Sequence, residues 1–254
     1  METAPLKPNA PPGARPPPAA IVYNNALLKA LDSDVIARLH LRRVEFEMEH
    51  ELEFPGTLIE HLYFIETGMA SMTTTFLNGS QVEVGMFGYR SVIGVSALMG
   101  TKRSLNRVYT QIAGNGYSCP IEAARQEFAL GGRFQRLTLG YVQAQLVQVT
   151  QLAGCNAKHN FEQRLSRWLL ICADRAKCDT FRMSHEFLSD MLGSSRSTMS
   201  ITAAQLRADN LIDYTRGTIH ILDKAGLEKK ACECYCAVEK YLDNLMQYDG
   251  GIPA

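Results

Sequence analysis

The spacing of apolar residues changes three times along this chain. From Asn25 to Leu39 they recur at threes and fours (Leu27, Leu28, Leu31, Val35, Ile36, Leu39), which predicts a short amphipathic helix. From Val44 to Phe54 every second residue is Glu, which predicts a half-buried strand that Pro55-Gly56 ends. Short apolar runs follow at 62–65, 70–76, 81–86, 107–112 and 116–120, punctuated by glycine. Asn78-Gly79 predicts a hairpin with positive φ at both central residues. Regularly spaced short strands with glycine turns imply a barrel, roll or sandwich.

Beyond Ile121 the period is helical again. Phe134, Leu137, Tyr141, Leu146, Val149 and Leu152 lie on one proline-free stretch of about six turns. These are more apolar positions than one small domain needs. They support a dimeric coiled coil using Leu137, Tyr141, Leu146 and Val149; the alternative is a helix lying along its own β-domain. A joint is expected at Gly154 to Asn160. A second amphipathic helix follows from Phe161 to Ala173 and holds Trp168, the only tryptophan.

The chemistry concentrates after Met183. Ser184 is a natural helix N-cap, and Glu186 in the first turn opposes the helix dipole. Phe187, Leu188, Met191 and Leu192 face inward, and Gly193 ends the helix where a left-handed residue is wanted. Ser194 or Ser195 caps the next helix, whose inner stripe is Met199, Thr202, Ala203 and Leu206. Two short helices joined through glycine at this spacing predict a helix-turn-helix. Its outer face opens with Arg196, Ser197 and Ser200, and no carboxylate occurs between Asp190 and Asp209. That is what a helix entering a major groove requires. Residues 211–222 read as a β-hairpin wing with Arg216 at its tip, in reach of phosphate.

Composition narrows the classes. The 254 residues carry 26 Lys+Arg and 26 Asp+Glu, so binding by bulk charge is not favoured, while a local basic patch stays open. No apolar run approaches the ~18 residues of a membrane span, and no signal peptide precedes the fold, so a cytoplasmic protein without a membrane partner is expected. Seven of the ten prolines fall in residues 1–18, an expected disordered arm. P-loop, Gly-x-Ser-x-Gly and His-Glu-x-x-His motifs are missing, and Gly114-Asn-Gly116 supplies two of three dinucleotide glycines; no enzyme is expected.

This order of parts resembles the CRP/FNR family of bacterial transcription regulators, most specifically over Phe161 to Leu222 with Gln163-Arg-Leu-Ser-Arg-Trp-Leu169 and Gly193-Ser-Ser-Arg196. The resemblance implies an α+β fold: an N-terminal double-stranded β-helix (a jelly-roll-like β-roll), a long dimerisation helix and a C-terminal winged helix-turn-helix. The parts would be the arm (1–20), a cyclic-nucleotide-binding-like sensor (21–130), the central helix (131–158), the DNA-binding domain (159–230) and a C-terminal extension (231–254). It implies a homodimer on two-fold-symmetric double-stranded DNA, in contact with RNA polymerase. By position, Ser184, His185 and Thr198 correspond to phosphate contacts, and Arg196, Ser197, Ser200 and Ile201 to base readers beside the cap Ser195. Relatives place an Arg where this chain has Ile201, so its DNA site is expected to differ.

The same resemblance locates an effector pocket at Arg90, Gly94, Val95, Ser96, Asn106 and Arg107. Val95 stands where the family's cyclic-nucleotide cassette has Glu, Asn106 stands where it has Arg, and Arg107 comes one residue late, on the opposite strand face. Cyclic AMP in the usual pose is therefore not expected. Another small effector, with Arg90 or Arg103 nearby, and an effectorless sensor both stay open. No cofactor is expected. The family's iron-sulfur type uses an N-terminal cysteine cluster, and no Cys precedes Cys119.

Cys232-Glu-Cys234-Tyr-Cys236 is the remaining oddity. On a helix, 232 and 236 share a face and 234 does not, and zinc sites want a second ligand pair, for which only Cys172 and Cys178 offer themselves. A C-terminal helix with tolerated thiols is expected; the alternatives are a thiol- or metal-responsive regulator using these three cysteines, or a ligand-sensing module that binds no DNA.

Overall fold

The computed structural model describes residues 21–237 and 240–241. The arm expected over residues 1–20 and the end of the expected extension lie outside the described residues. The chain opens with α1 (Ala26–Lys29), capped by the side chain of Asn25, and α2 (Ser33–Arg38). The single helix expected over 25–39 is thus two, although Leu27, Leu28, Val35 and Leu39 are buried as the periodicity requires.

Eight strands follow: β1 (Arg42–Phe46), β2 (Glu51–Glu53), β3 (His61–Ile65), β4 (Met69–Thr75), β5 (Gln81–Phe87), β6 (Val92–Ile93), β7 (Arg107–Ile112) and β8 (Gly114–Pro120), with a 3₁₀ turn at Val95–Met99. They pair antiparallel in two four-stranded sheets, β1-β8-β3-β6 and β2-β7-β4-β5. This is the strand order of a double-stranded β-helix. Phe46, Leu62 and Phe64 from one sheet meet Ala70, Phe87 and Val108 from the other in a common core. Full burial of side chains of this size contributes ~1.5–3 kcal/mol each.

Two local expectations change. The Glu-alternating segment is split into β1 and β2, because the chain leaves one sheet for the other through Glu49, at φ 64°. The Asn78-Gly79 hairpin joins β4 to β5, but only Gly79 has positive φ; Asn78 instead accepts a hydrogen bond from the Ser80 amide at 3.0 Å. Gly114 and Gly116 have a packing role. A Cβ there would sit 2.0 Å from the Thr67 carbonyl oxygen and 2.1 Å from that of Phe64, so β8 can lie against β3 only with glycine at both positions.

Helices α3 (Ile121–Ala129) and α4 (Arg133–Lys158) leave the roll. Asn160 and Gln163 form a reciprocal capping box that starts α5 (Phe161–Ala176). The rest is β9 (Thr180–Arg182), α6 (His185–Met191), α7 (Arg196–Ala208), β10 (Ile212–Thr215), β11 (Thr218–Ile221) and α8 (Lys224–Lys230). The three strands form one antiparallel sheet, β10-β11-β9, so the expected two-stranded wing has a third strand. The second core holds Trp168, Leu188, Met199, Leu206 and Ile219, together with Met69 and Met86 of the roll.

Candidate nucleic-acid interface

The helix-turn-helix is held by local capping. The Ser184 hydroxyl accepts from the Phe187 amide at 3.1 Å, and the Ser195 hydroxyl accepts from the Thr198 amide at 3.0 Å. Gly193 between them takes φ 57°, the left-handed turn its position predicts. Met199, Ala203 and Leu206 bury the inner face of α7. The opposite face is open: Arg196, Ser197, Ser200 and Ile201 are all exposed, with the Arg196 side chain 71% accessible and Ile201 at 69%.

The side chains on this face are already organised. His185 stacks on Tyr214 with ring centroids 4.1 Å apart, and its Nδ1 lies 3.1 Å from the Ser200 hydroxyl. Burial, and then the nearby Arg196 guanidinium, hold His185 below its ordinary pKa, so the imidazole is neutral at pH 7. Thr198 shares a 2.8 Å hydrogen bond with Ser195. Glu186, on the first turn of α6, reaches within 4.0 Å of Arg196, a carboxylate contact that reading α7 by itself misses. Arg216 sits at the wing tip at φ 51°, followed by Gly217 at φ 76°, and both sequential positive φ values belong to a tight hairpin turn. The face thus brings together Ser184, His185, Ser195, Arg196, Ser197, Thr198, Ser200 and Ile201, with Arg216 on the wing.

A family model described as the Crp-like helix-turn-helix domain matches residues 163–230. Residues 163–230 thus match a Crp-like DNA-binding domain, and the order of parts around them is that of CRP/FNR transcription regulators. Among curated relatives, the global nitrogen regulator of Nostoc sp. is 26% identical over 196 residues, covering 73% of this chain and 87% of that protein. The fold is shared with FixK2 from Bradyrhizobium japonicum (TM-score 0.65, 15% identity, 76% of this chain and 98% of that one). It is also shared with a CRP-family transcriptional regulator from Thermus thermophilus (TM-score 0.60, 23% identity, 75% and 96%).

The region where CRP/FNR proteins of the cyclic-nucleotide type hold their ligand is differently furnished here. Gly94 takes φ 93° to start the 3₁₀ turn, and Val95 is buried. The carboxylate of Glu53 faces the Gly94 amide and accepts a hydrogen bond from the Ser104 hydroxyl; burial raises its pKa. Ser104 also hydrogen-bonds to the Asn106 carbonyl at 2.9 Å. An internal carboxylate therefore lies among Gly94, Val95, Ser104 and Asn106. Arg107 points elsewhere: it pairs with Glu51 at 2.6 Å, donates to Gln81 at 3.2 Å and lies over the Tyr109 ring. Arg103 donates to the Gly56 carbonyl, and Arg90 lies over the Tyr89 ring. Ser96 is half-buried on the Gly94 turn.

On α4, the four residues expected at a dimer seam divide. Tyr141 is 2% exposed in the roll's core and Leu137 is 8% exposed, so both are used within their own subunit. Their burial corrects the expectation that they meet a partner. Leu139, Leu146 and Val149 are exposed instead, on a helix with no charged residue between Arg136 and Lys158.

The Cys232-Cys234-Cys236 expectation is also corrected. Residues 231–233 are not helical, so Cys232 and Cys234 turn inward together, whereas Cys236 is exposed. Cys172 is buried in the second core and Cys178 bonds the Thr180 carbonyl, so neither completes a ligand set.

Proposed function

We propose that the protein is a homodimeric regulator that reads a two-fold-symmetric promoter site through α7. The observation that carries this reading is the open outer face of α7, which holds no carboxylate of its own and is led by Arg196, with Glu186 of α6 at 4.0 Å and Arg216 at the wing tip. The Arg196 guanidinium supplies bidentate donors to a guanine, worth ~1–3 kcal/mol of base discrimination, and Ile201 offers a methyl contact to thymine in place of a second arginine. Ser184 and Thr198 anchor phosphates. Dimerisation along Leu139, Leu146 and Val149 would set the two α7 helices about 34 Å apart, one turn of duplex.

The roll, in this reading, does not take cyclic AMP in the family's usual pose. Glu53 already engages the Gly94 amide, and a cyclic phosphate there would meet a carboxylate instead of an arginine. The melting temperature is expected to be unchanged by cyclic AMP, since a ligand that binds only the native state must raise it.

The deciding experiment selects a preferred site from random duplexes and compares wild type with Arg196→Ala. The variant is expected to lose the preferred sequence while keeping weak, salt-sensitive binding to any duplex. Equal weakening on every sequence would make Arg196 a phosphate contact and reject the base-reading assignment.

A further inference from the structure

Four ligand-type side chains far apart in sequence converge where α4 ends: Cys155, His159, Cys232 and Cys234. Their Sγ atoms and a ring nitrogen all lie within 4.8 Å of one another. The three cysteines are buried and His159 is half-buried. Cys155 lies in the last turn of α4, and His159, the helix C-cap four residues on, donates its backbone N–H to the Cys155 carbonyl at 3.0 Å. Ala231 leaves α8 in extended backbone and delivers Cys232 and Cys234 opposite them.

We infer that Cys155, His159, Cys232 and Cys234 form a four-ligand site for one tetrahedral divalent ion of the zinc type. The distances match such an ion. With bonds of about 2.3 Å to sulfur and 2.0–2.1 Å to nitrogen, a tetrahedron has edges of about 3.8 Å between sulfurs and 3.6 Å between sulfur and nitrogen. Cys155 Sγ is 3.5 Å from Cys232 Sγ, and Cys234 Sγ is 3.6 Å from His159 Nδ1. An iron-sulfur cluster, with several atoms between its ligands, needs a wider cage.

The surroundings are those of a metal site. His159 presents Nδ1 to the cluster, and its Nε2 lies 3.3 Å from a Glu233 carboxylate oxygen, the outer partner that fixes the tautomer of a ligating histidine. Gln151 Nε2 donates to Cys234 Sγ at 3.0 Å. Arg167 is 4% exposed, its Nε has no hydrogen-bond partner among the described residues, and its positive charge acts on Cys155. Three thiolates around a divalent ion leave one negative charge, which that guanidinium balances. Metal binding would release the thiol protons to solvent.

The site has a mechanical consequence. His159 is the C-cap of α4, and Asn160 caps the start of α5. An ion held there fastens the chain after α8 to the hinge between the central helix and the DNA-binding helices.

The test uses full-length protein, purified reduced and without chelator, with metals counted by mass spectrometry. About one zinc per chain is expected, for a site with four protein ligands. Metal-stripped wild type titrated with Co²⁺ is expected to show thiolate charge-transfer and tetrahedral ligand-field bands that saturate at one equivalent. Cys232→Ser and His159→Ala should each bring the metal content to near zero, and Cys236→Ser should leave it unchanged. The inference is overturned if wild type holds no metal and gives no tetrahedral cobalt spectrum, if iron with acid-labile sulfide is found, or if Cys232→Ser retains the full zinc.

Discussion

Helices α5 and α7 have similar amphipathic sequences and opposite uses. Eleven of the sixteen residues of α5 are buried, including the polar Ser166, Arg167 and Arg175. Only Met199, Ala203 and Leu206 of the thirteen in α7 are buried. The first is wedged between the roll and the DNA-binding helices, with the Trp168 indole N–H donating to Glu83 Oε1 at 2.8 Å across that boundary. The second touches its neighbours along one narrow stripe. A helix packed on both sides spends its side chains on stability; one packed on a single side has a face to vary without unfolding the protein.

Truncating Trp168 tests the first half of that statement and should give the largest effect. Trp168→Ala removes the largest fully buried side chain and leaves the Glu83 carboxylate without its indole donor. A loss of ~3–5 kcal/mol is expected in urea unfolding. Arg196→Ala is the matched contrast. At an exposed position it should change stability by no more than ~0.5 kcal/mol while removing ~1–3 kcal/mol of base discrimination. If Trp168→Ala cost no more than Arg196→Ala in urea, the division of labour between the two helices would be wrong.

Helix α4 repeats the contrast within one element. Tyr141 faces the roll, and Leu146 is 65% exposed on the far side. Leu146→Glu with Val149→Glu is expected to yield folded monomers by sedimentation, with operator affinity reduced at least about tenfold because each half-site then binds alone. Tyr141→Ala is expected to lower the melting temperature and leave the dimer intact. Dimers surviving the double charge substitution would move the seam elsewhere.

What could be read beforehand follows the range of the interactions. The helix-turn-helix was legible because its caps, its glycine and its inner stripe all act within four residues, so Ser184, Gly193, Ser195 and Arg196 announce themselves locally. The roll's strands were legible for the same reason, but their exchange between sheets was not: the Glu alternation runs on through the bend at Glu49, and only pairing with β8 and then β7 reveals it. Leu137 and Tyr141, expected at a dimer seam, share a helical period with Leu146, and a period fixes which residues share a face, not which layer covers it. Of the four proposed ligands, Cys232 and Cys234 stood out in the sequence but Cys155 and His159 did not, because Cys155-x₃-His159 and Cys232-x-Cys234 lie far apart in the chain. Each is a half-site whose meaning depends on the other.

The smallest expected effect concerns Glu83, the polar end of the α5 wedge. Burial raises its pKa to about 7, although hydrogen bonds from Ser71 and Trp168 and the charges of Arg167 and Arg175 pull it down. The native state therefore holds a proton that the unfolded chain releases near pH 4.5, so this contribution is complete below that pH and is lost as pH rises through about 7. Glu83→Gln keeps a neutral acceptor for Trp168 and cannot ionise. It should be nearly neutral at pH 5 and stabilising by about 1–2 kcal/mol at pH 8, allowing for relaxation around the ionised carboxylate. Urea titrations of both proteins at the two pH values check this. A variant less stable than wild type at pH 8 would mean that the ionised Glu83 is favourably held by Arg167 and Arg175 and that its native pKa is not raised.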